Sequence, residues 1–179
     1  MLNIVAVSGS LRNSSTNTTL LDAAIHLAPP DLSIKRTDLI GQLPLFNPDL
    51  DVGEIEVVQR WTALMRESNA LILSTPEYAR GYPGALKNAL DWLVQGDAFV
   101  EKPFMFFVAS ERAHASHTTL AVVISTMSGV HISDADVTIP LLGTDNAVSD
   151  IVQNDLFSSR IKNALALFSE QIRSKSWQS

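Results

Sequence analysis

Strand-length apolar runs alternating with helix-period segments predict an open, doubly wound α/β domain: a five-stranded parallel sheet with helices on both faces. Three observations carry this. The strand candidates at 2–7, 32–37, 69–75, 103–109 and 135–139 include near-continuous apolar runs, which suit strands buried on both faces. Between them, apolar residues recur at helical spacing, so the order reads βαβαβαβαβα. A chain of 179 residues is also short for a parallel barrel, which typically takes about 250.

The first strand is the run Leu2, Ile4, Val5, Ala6 and Val7, closed by the Ser-Gly-Ser turn at 8–10. A helix is expected over 15–27, with Leu20, Leu21, Ala24 and Ile25 on one face, stopping at Pro29-Pro30. A short second strand follows at 32–37. A Pro- and Asp-containing connection, 38–53, brings apolar residues to dock on the core. The next helix covers 54–68, with Ile55, Val58, Trp61 or Thr62, and Met65 on its apolar face. Residues 69–75 form a buried strand, 76–84 a loop and 85–94 a helix. PFMFFVA, 103–109, is the most apolar strand. A fourth helix is expected at 118–127 although Val122-Val123-Ile124 also suits a strand. The fifth strand is placed at 135–139, and Phe157, Ile161, Ala164, Leu165, Phe168 and Ile172 stripe a long last helix.

The composition narrows the function. The whole chain, 1–179, reads as one domain of ordinary size, and 46% apolar content suits a full core. A formal charge of -6 argues against nucleic acid or an anionic membrane surface as partner. With no cysteine, disulfides, thiolate nucleophiles and Cys-based metal sites are absent from the chain. The chain enters a strand without a leader-like segment and has no membrane-length apolar stretch, so a cytoplasmic location is expected.

The first loop, SGSLRNSSTN, carries the sharpest chemistry. A helix starting near Ser14 to Asn17 presents unpaired N–H groups and partial positive charge. Ser8, Ser10, Ser14, Ser15, Thr16 and Asn17 add short donors, and Arg12 adds a planar cationic fork. Charge-assisted bonds of this kind contribute about 1.5–3 kcal/mol each. One glycine, Gly9, leaves both dinucleotide and nucleoside-triphosphate cradles unformed, whereas a terminal phosphate monoester fits. The same hydroxyls also suit simple helix capping; Arg12 in the same loop tips the balance to an anion site. In doubly wound sheets ligands bind beyond the carboxyl ends of the strands, where the loops after strands 1, 3 and 4 meet. The loop after strand 3, TPEYARGYPG, holds both tyrosines, so a planar heteroaromatic could lie on Tyr78 and bond backbone amides of 77–79. Pro83 opening the next helix would equally make it a rigid turn.

Together GSLRNSSTN (9–17) and PEYARGYPGALKNALDW (76–92) resemble the signature segments of the NADPH-dependent FMN reductase family, which has a flavodoxin-like fold and includes quinone, azo-dye and chromate reductases. The resemblance implies that Ser10, Arg12, Ser15, Thr16 and Asn17 hold the FMN phosphate. It implies that Pro76, Glu77, Tyr78 and Ala79 line the flavin ring, largely through main-chain atoms, and that Ser110 keeps the position at the end of strand 4. Two departures stand out. Family members usually carry Asn where this chain has Ala79, and commonly a glycine-rich segment where it has SERAHASH, 110–117. FMN is therefore expected to be held more loosely than in typical relatives, unless Arg112 or His114 supplies contacts at the pyrimidine edge.

The expected function is an NAD(P)H-dependent FMN oxidoreductase, with NADPH or NADH as hydride donor and a quinone or azo compound as electron acceptor. The flavin carries the chemistry, so no catalytic side chain is nominated. The alternative is a non-catalytic flavin- or phosphate-ligand-binding module of the same fold. His114 and His117, at i and i+3, lack a nearby carboxylate, and no metal site is assigned. Lys87 and Asp91 are spaced as a helical ion pair. The resemblance puts Trp92 and its helix at a subunit interface, and Trp61 and Trp92 are the expected anchors of a homodimer or homotetramer.

Overall fold

The computed structural model of the protein describes residues 1–111, 113–141 and 146–175. Its sheet is parallel throughout. β1 (Leu2–Ser8) pairs with β2 (Leu32–Thr37) on one side and β3 (Ala70–Ser74) on the other, and β3 pairs with β4 (Pro103–Val108). The order is β2-β1-β3-β4-β5, where β5 is Val130–His131. All the strands run the same way, so the loops leaving β1, β3 and β4 share one edge of the sheet.

Alternation along the strands divides the core. Ile4 and Ala6 face a layer with Leu20 and Leu21 of α1 (Thr16–His26), Ile151 of α5 (Val148–Gln153) and Phe168 of α6 (Asp155–Ser174). Val5 and Val7 face the other layer, with Trp61 of α2 (Glu56–Glu67), Leu86 of α3 (Gly84–Asp91) and Leu120 of α4 (His114–Thr126). The doubly wound arrangement expected from the sequence is therefore present.

Three elements differ from the sequence expectation: the edge rung, the start of α4, and the short helix α5, which falls where no element was expected. The edge rung is not one strand at 135–139. Val130–His131 pairs with the start of β4, and a sixth strand, β6 (Val137–Thr138), pairs with its end. A 3₁₀ turn at Ser133–Ala135 separates them, and in the gap Asp136 Oδ1 accepts the Phe106 N–H at 2.7 Å. A side chain thus supplies the ladder bond that a continuous strand would have made. Helix α4 starts four residues earlier than expected. In its first turns two threonines bond back to the backbone, Thr118 Oγ1 to His114 O (2.9 Å) and Thr119 Oγ1 to Ala115 O (2.8 Å).

The two tryptophans expected to anchor a subunit interface are instead core residues of this chain. Trp61 is 1% exposed, and its indole N–H donates to Ala89 O at 2.8 Å, joining α2 to α3. Trp92 is 4% exposed; it donates to Pro44 O (2.9 Å) and meets Phe46 edge-on. Asn88 adds two bonds to the same segment, accepting the Phe46 N–H (2.8 Å) and donating to Pro44 O (2.9 Å). The long 38–53 connection is strapped to α3 by these groups.

Candidate active site

Three contacts draw the loops after β1, β3 and β4 together. Gly9 N–H donates to Ser74 O at 2.8 Å, and a Cβ at Gly9 would stand 2.3 Å from Thr75 Oγ1, so only glycine allows this approach. The Ser74 hydroxyl donates to Asn17 Oδ1 at 3.0 Å. Glu77 Oε2 accepts the Ser116 N–H at 3.1 Å, linking the β3 loop to α4. The convergence expected from the fold is built from these bonds.

At the first loop, Ser15 is the N-cap of α1, with its Oγ 3.5 Å from the Thr18 N–H. The Asn17 side chain is buried and turned to Ser74, so what it leaves toward an anion is its backbone N–H. Helix geometry frees the Thr16 and Asn17 N–H groups of intrahelical acceptors. Ser10 Oγ accepts the Arg12 N–H at 3.3 Å and keeps its own proton to donate. Arg12 is exposed and forms no ion pair among the described residues. Ser10 and Arg12 line a cleft of about 450 Å³, with Thr37 and Gln42 across it. Arg36, on that far wall, is occupied by Asp22 (2.8 Å) and Asp38.

In the second loop, Tyr78 and Gly81 exchange backbone bonds, N–H to O at 2.8 and 2.9 Å, around Ala79 and Arg80. Both central residues have positive φ, 49° and 65°, the signature of a type I′ turn. The Tyr78 N–H is therefore spent. The N–H groups of Glu77 and Ala79 have no acceptor among the described residues. Tyr78 is 53% exposed, leaving its ring open.

Beyond β4, Ser110 is exposed and its carbonyl accepts the Ala113 N–H at 3.1 Å. Arg112 lies outside the described residues. His114 is exposed, whereas His117 is buried and donates from Nδ1 to Ala113 O. Burial holds the His117 ring below its ordinary pKa, against the pull of that carbonyl, Asp136 and Glu77. No cluster of three metal-ligating side chains occurs among the described residues.

Sequence reading missed the Asn17–Ser74 bond, the Asn88 strap and the Glu77–Ser116 bond, all of which depend on side chains meeting across 39 to 57 positions. Only the Gly9 position carried a local hint.

A doubly wound sheet with an arginine-bearing loop before a helix start at the end of β1, beside a loop with free amides, gathers a cation and N–H donors where three loops meet. Comparison with known proteins sharpens this. A profile of the NADPH-dependent FMN reductase family matches residues 2–141, and the chain belongs to that family. The chain is 41% identical over 92 residues to an NAD(P)H-dependent FMN reductase of Pseudomonas aeruginosa, covering 51% of this chain and 49% of that protein. It is 45% identical over 91 residues to a 2-hydroxy-1,4-benzoquinone reductase of a Burkholderia species, covering 51% and 49%. The matched segment thus spans about half the length of these curated relatives. Among solved structures, FerB of Paracoccus denitrificans, a flavoenzyme NAD(P)H:(acceptor) oxidoreductase, aligns over 95% of this chain and 98% of its own. Its TM-score is 0.80 and its identity 26%.

Proposed function

We propose that the chain works as one FMN-binding domain of an NAD(P)H-dependent oxidoreductase, passing electrons to a small acceptor such as a quinone or azo compound. The carrying observation is the juxtaposition, through Gly9 and Thr75, of the Arg12 loop with the loop bearing the free Glu77 and Ala79 N–H groups.

The residues present fit FMN. Arg12, the Ser10 hydroxyl and the Thr16 and Asn17 N–H groups would meet the phosphate, with Ser15 capping the helix that presents them. The Glu77 and Ala79 N–H groups would meet the polar edge of the ring, with Tyr78 and Pro76 beside it and Ser110 at the end of β4. When bound, FMN would supply two-electron redox chemistry between a donor, NADPH or NADH, and the acceptor. The side chains bind and orient; none is assigned an acid or base role.

Support for the acceptor class comes from the quinone-reducing relatives. No described helix is long and apolar enough to cross a membrane, and a cytoplasmic location is part of the proposal. So is a homodimer or homotetramer. With Trp61 and Trp92 used internally, the uncharged outer side of α4, where Val122 is 63% exposed and no Asp, Glu, Lys or Arg falls within 114–126, is the better surface. Light scattering that returned 19.5 kDa at micromolar concentration would end that part.

The function is tested by the visible spectrum of protein mixed with FMN, before and after anaerobic NADPH. Bleaching of protein-bound FMN at a rate far above that of free FMN supports it. A spectrum unchanged by NADPH leaves the non-catalytic module as the reading.

A further inference from the structure

Helix α4 begins without a cap of its own. Its N-cap residue is Ala113, which has no side-chain acceptor. The first-turn N–H of Ser116 is met by a residue 39 positions earlier, Glu77, at 3.1 Å. Two further first-turn donors converge on the Ala113 carbonyl: the buried Ser116 hydroxyl at 3.1 Å and the His117 Nδ1–H. Among the described residues, the partner that the start of α4 takes from the β3 loop is the Glu77 carboxylate.

That carboxylate sits in an unusual segment. On its amino side is Pro76, which fixes φ and donates no hydrogen bond. On its carboxyl side is the Tyr78–Gly81 hairpin, whose two central residues hold positive φ without being glycine. Such a conformation persists only where its surroundings impose it. A negative group at a helix start is also favoured by the helix dipole, so the contact is stabilising in its own right.

We propose that Glu77 is a positioning residue. Its carboxylate docks the 76–81 loop onto the first turn of α4, and so fixes the backbone N–H groups of Glu77 and Ala79 where the ring of a planar cofactor takes them. This rests on the flavin reading given above. It assigns the side chain of Glu77 to α4 and only its backbone to the cofactor. The two loops flanking the ring then behave as one body.

The test separates reach from charge, using the full chain. Glu77→Gln keeps an oxygen at the same distance without the charge; Glu77→Asp keeps the charge and shortens the side chain by one methylene; Glu77→Ala removes both. FMN and riboflavin are titrated by fluorescence quenching, and hydrogen exchange at the Ser116 amide is followed without flavin. Ala and Asp should weaken both flavins by the same factor, up to roughly tenfold, as expected for loss of one hydrogen bond. The FMN-to-riboflavin ratio should stay at the wild-type value, because the phosphate loop is untouched. Gln should remain within roughly threefold of wild type. Exchange at Ser116 should quicken in Ala and Asp alone.

Wild-type flavin affinity in Ala and Asp would overturn the proposal, as would Asp behaving like wild type while Gln behaves like Ala. A changed FMN-to-riboflavin ratio would place Glu77 in the phosphate site instead and overturn it too. If Ala fails to fold, the Gln and Asp pair decides. Failure of the wild type to bind either flavin overturns the cofactor reading itself, and with it the positioning role; Ser116 exchange then shows whether the bond to α4 exists independently.

Discussion

The Ser74 hydroxyl donates to Asn17 Oδ1 across 3.0 Å in the protein interior, joining the end of β3 to the first turn of α1. The family resemblance implies Asn17 as a phosphate contact, but its side chain is a strut between two loops. Asn17→Ala leaves the Ser74 hydroxyl buried without its acceptor, at a cost of about 1–3 kcal/mol. Flavin-free protein should therefore melt lower, by roughly 2–4 °C for each kcal/mol in a chain of this size. Differential scanning calorimetry of the apo variant checks this; an unchanged Tm would mean that the bond contributes nothing.

Ala79 occupies the left-handed region at φ 49°, which disfavours most L-residues by roughly 1–2 kcal/mol and which Asn tolerates. Ala79→Asn should recover part of that and offer the ring an amide. Two readouts move together: a higher apo Tm, and FMN binding tighter severalfold, equivalent to about 1 kcal/mol. Tight wild-type binding unaltered by the substitution would show that the alanine is no handicap.

The 38–53 segment is strapped down through Asn88. Asn88→Ala removes both of its bonds, to Phe46 N–H and Pro44 O, leaving a half-buried amide without its acceptor. Urea unfolding should register a loss of about 1–3 kcal/mol, and exchange at the Phe46 amide should accelerate well beyond the average. Equal acceleration throughout the chain would assign Asn88 to global stability rather than to this strap.

Burial keeps His117 neutral, with its folded-state pKa below the ordinary 6.5. Above that value neither the folded nor the unfolded chain protonates this ring, and it leaves stability unchanged. As pH falls below 6.5 the unfolded chain takes a proton that the folded chain refuses, so stability declines until the folded-state value is passed. The slope from this group is up to about 1.4 kcal/mol per pH unit. Denaturant melts of wild type and His117→Gln between pH 7.5 and 5 should show a shallower acid loss in the variant. Parallel curves would locate the acid sensitivity elsewhere.

The layers and the meeting of three loops were legible in the chain because period and apolar runs are local signals: Ile4 and Ala6 against Val5 and Val7, or the stripe from Phe157 to Ile172. The split edge rung was not, because Val137 and Thr138 read as strand whether or not Asp136 interrupts the ladder. Trp92 was misread for a related reason. A large apolar residue on a helix marks burial, and only the fold shows that Pro44 and Phe46 of the same chain do the burying. At the candidate site, residue types pointed to loops that the fold brings together. Which atoms stay free was decided by contacts distant in sequence for the Asn17 side chain, and by the local Tyr78–Gly81 turn for the Tyr78 N–H.

The central claim is that FMN is held by its phosphate at the start of α1, with Arg12 as the free cation. Parallel titrations of wild type and Arg12→Ala with FMN and riboflavin test it most directly. FMN should bind wild type at least roughly tenfold more tightly than riboflavin, about 1.4 kcal/mol or more. Arg12→Ala should shrink that preference while leaving riboflavin affinity and apo Tm as they were, because an exposed loop arginine adds little to the core. Equal affinities of the wild type for the two flavins would contradict the claim, and so would a marked fall in apo Tm for Arg12→Ala, which would make Arg12 a structural residue.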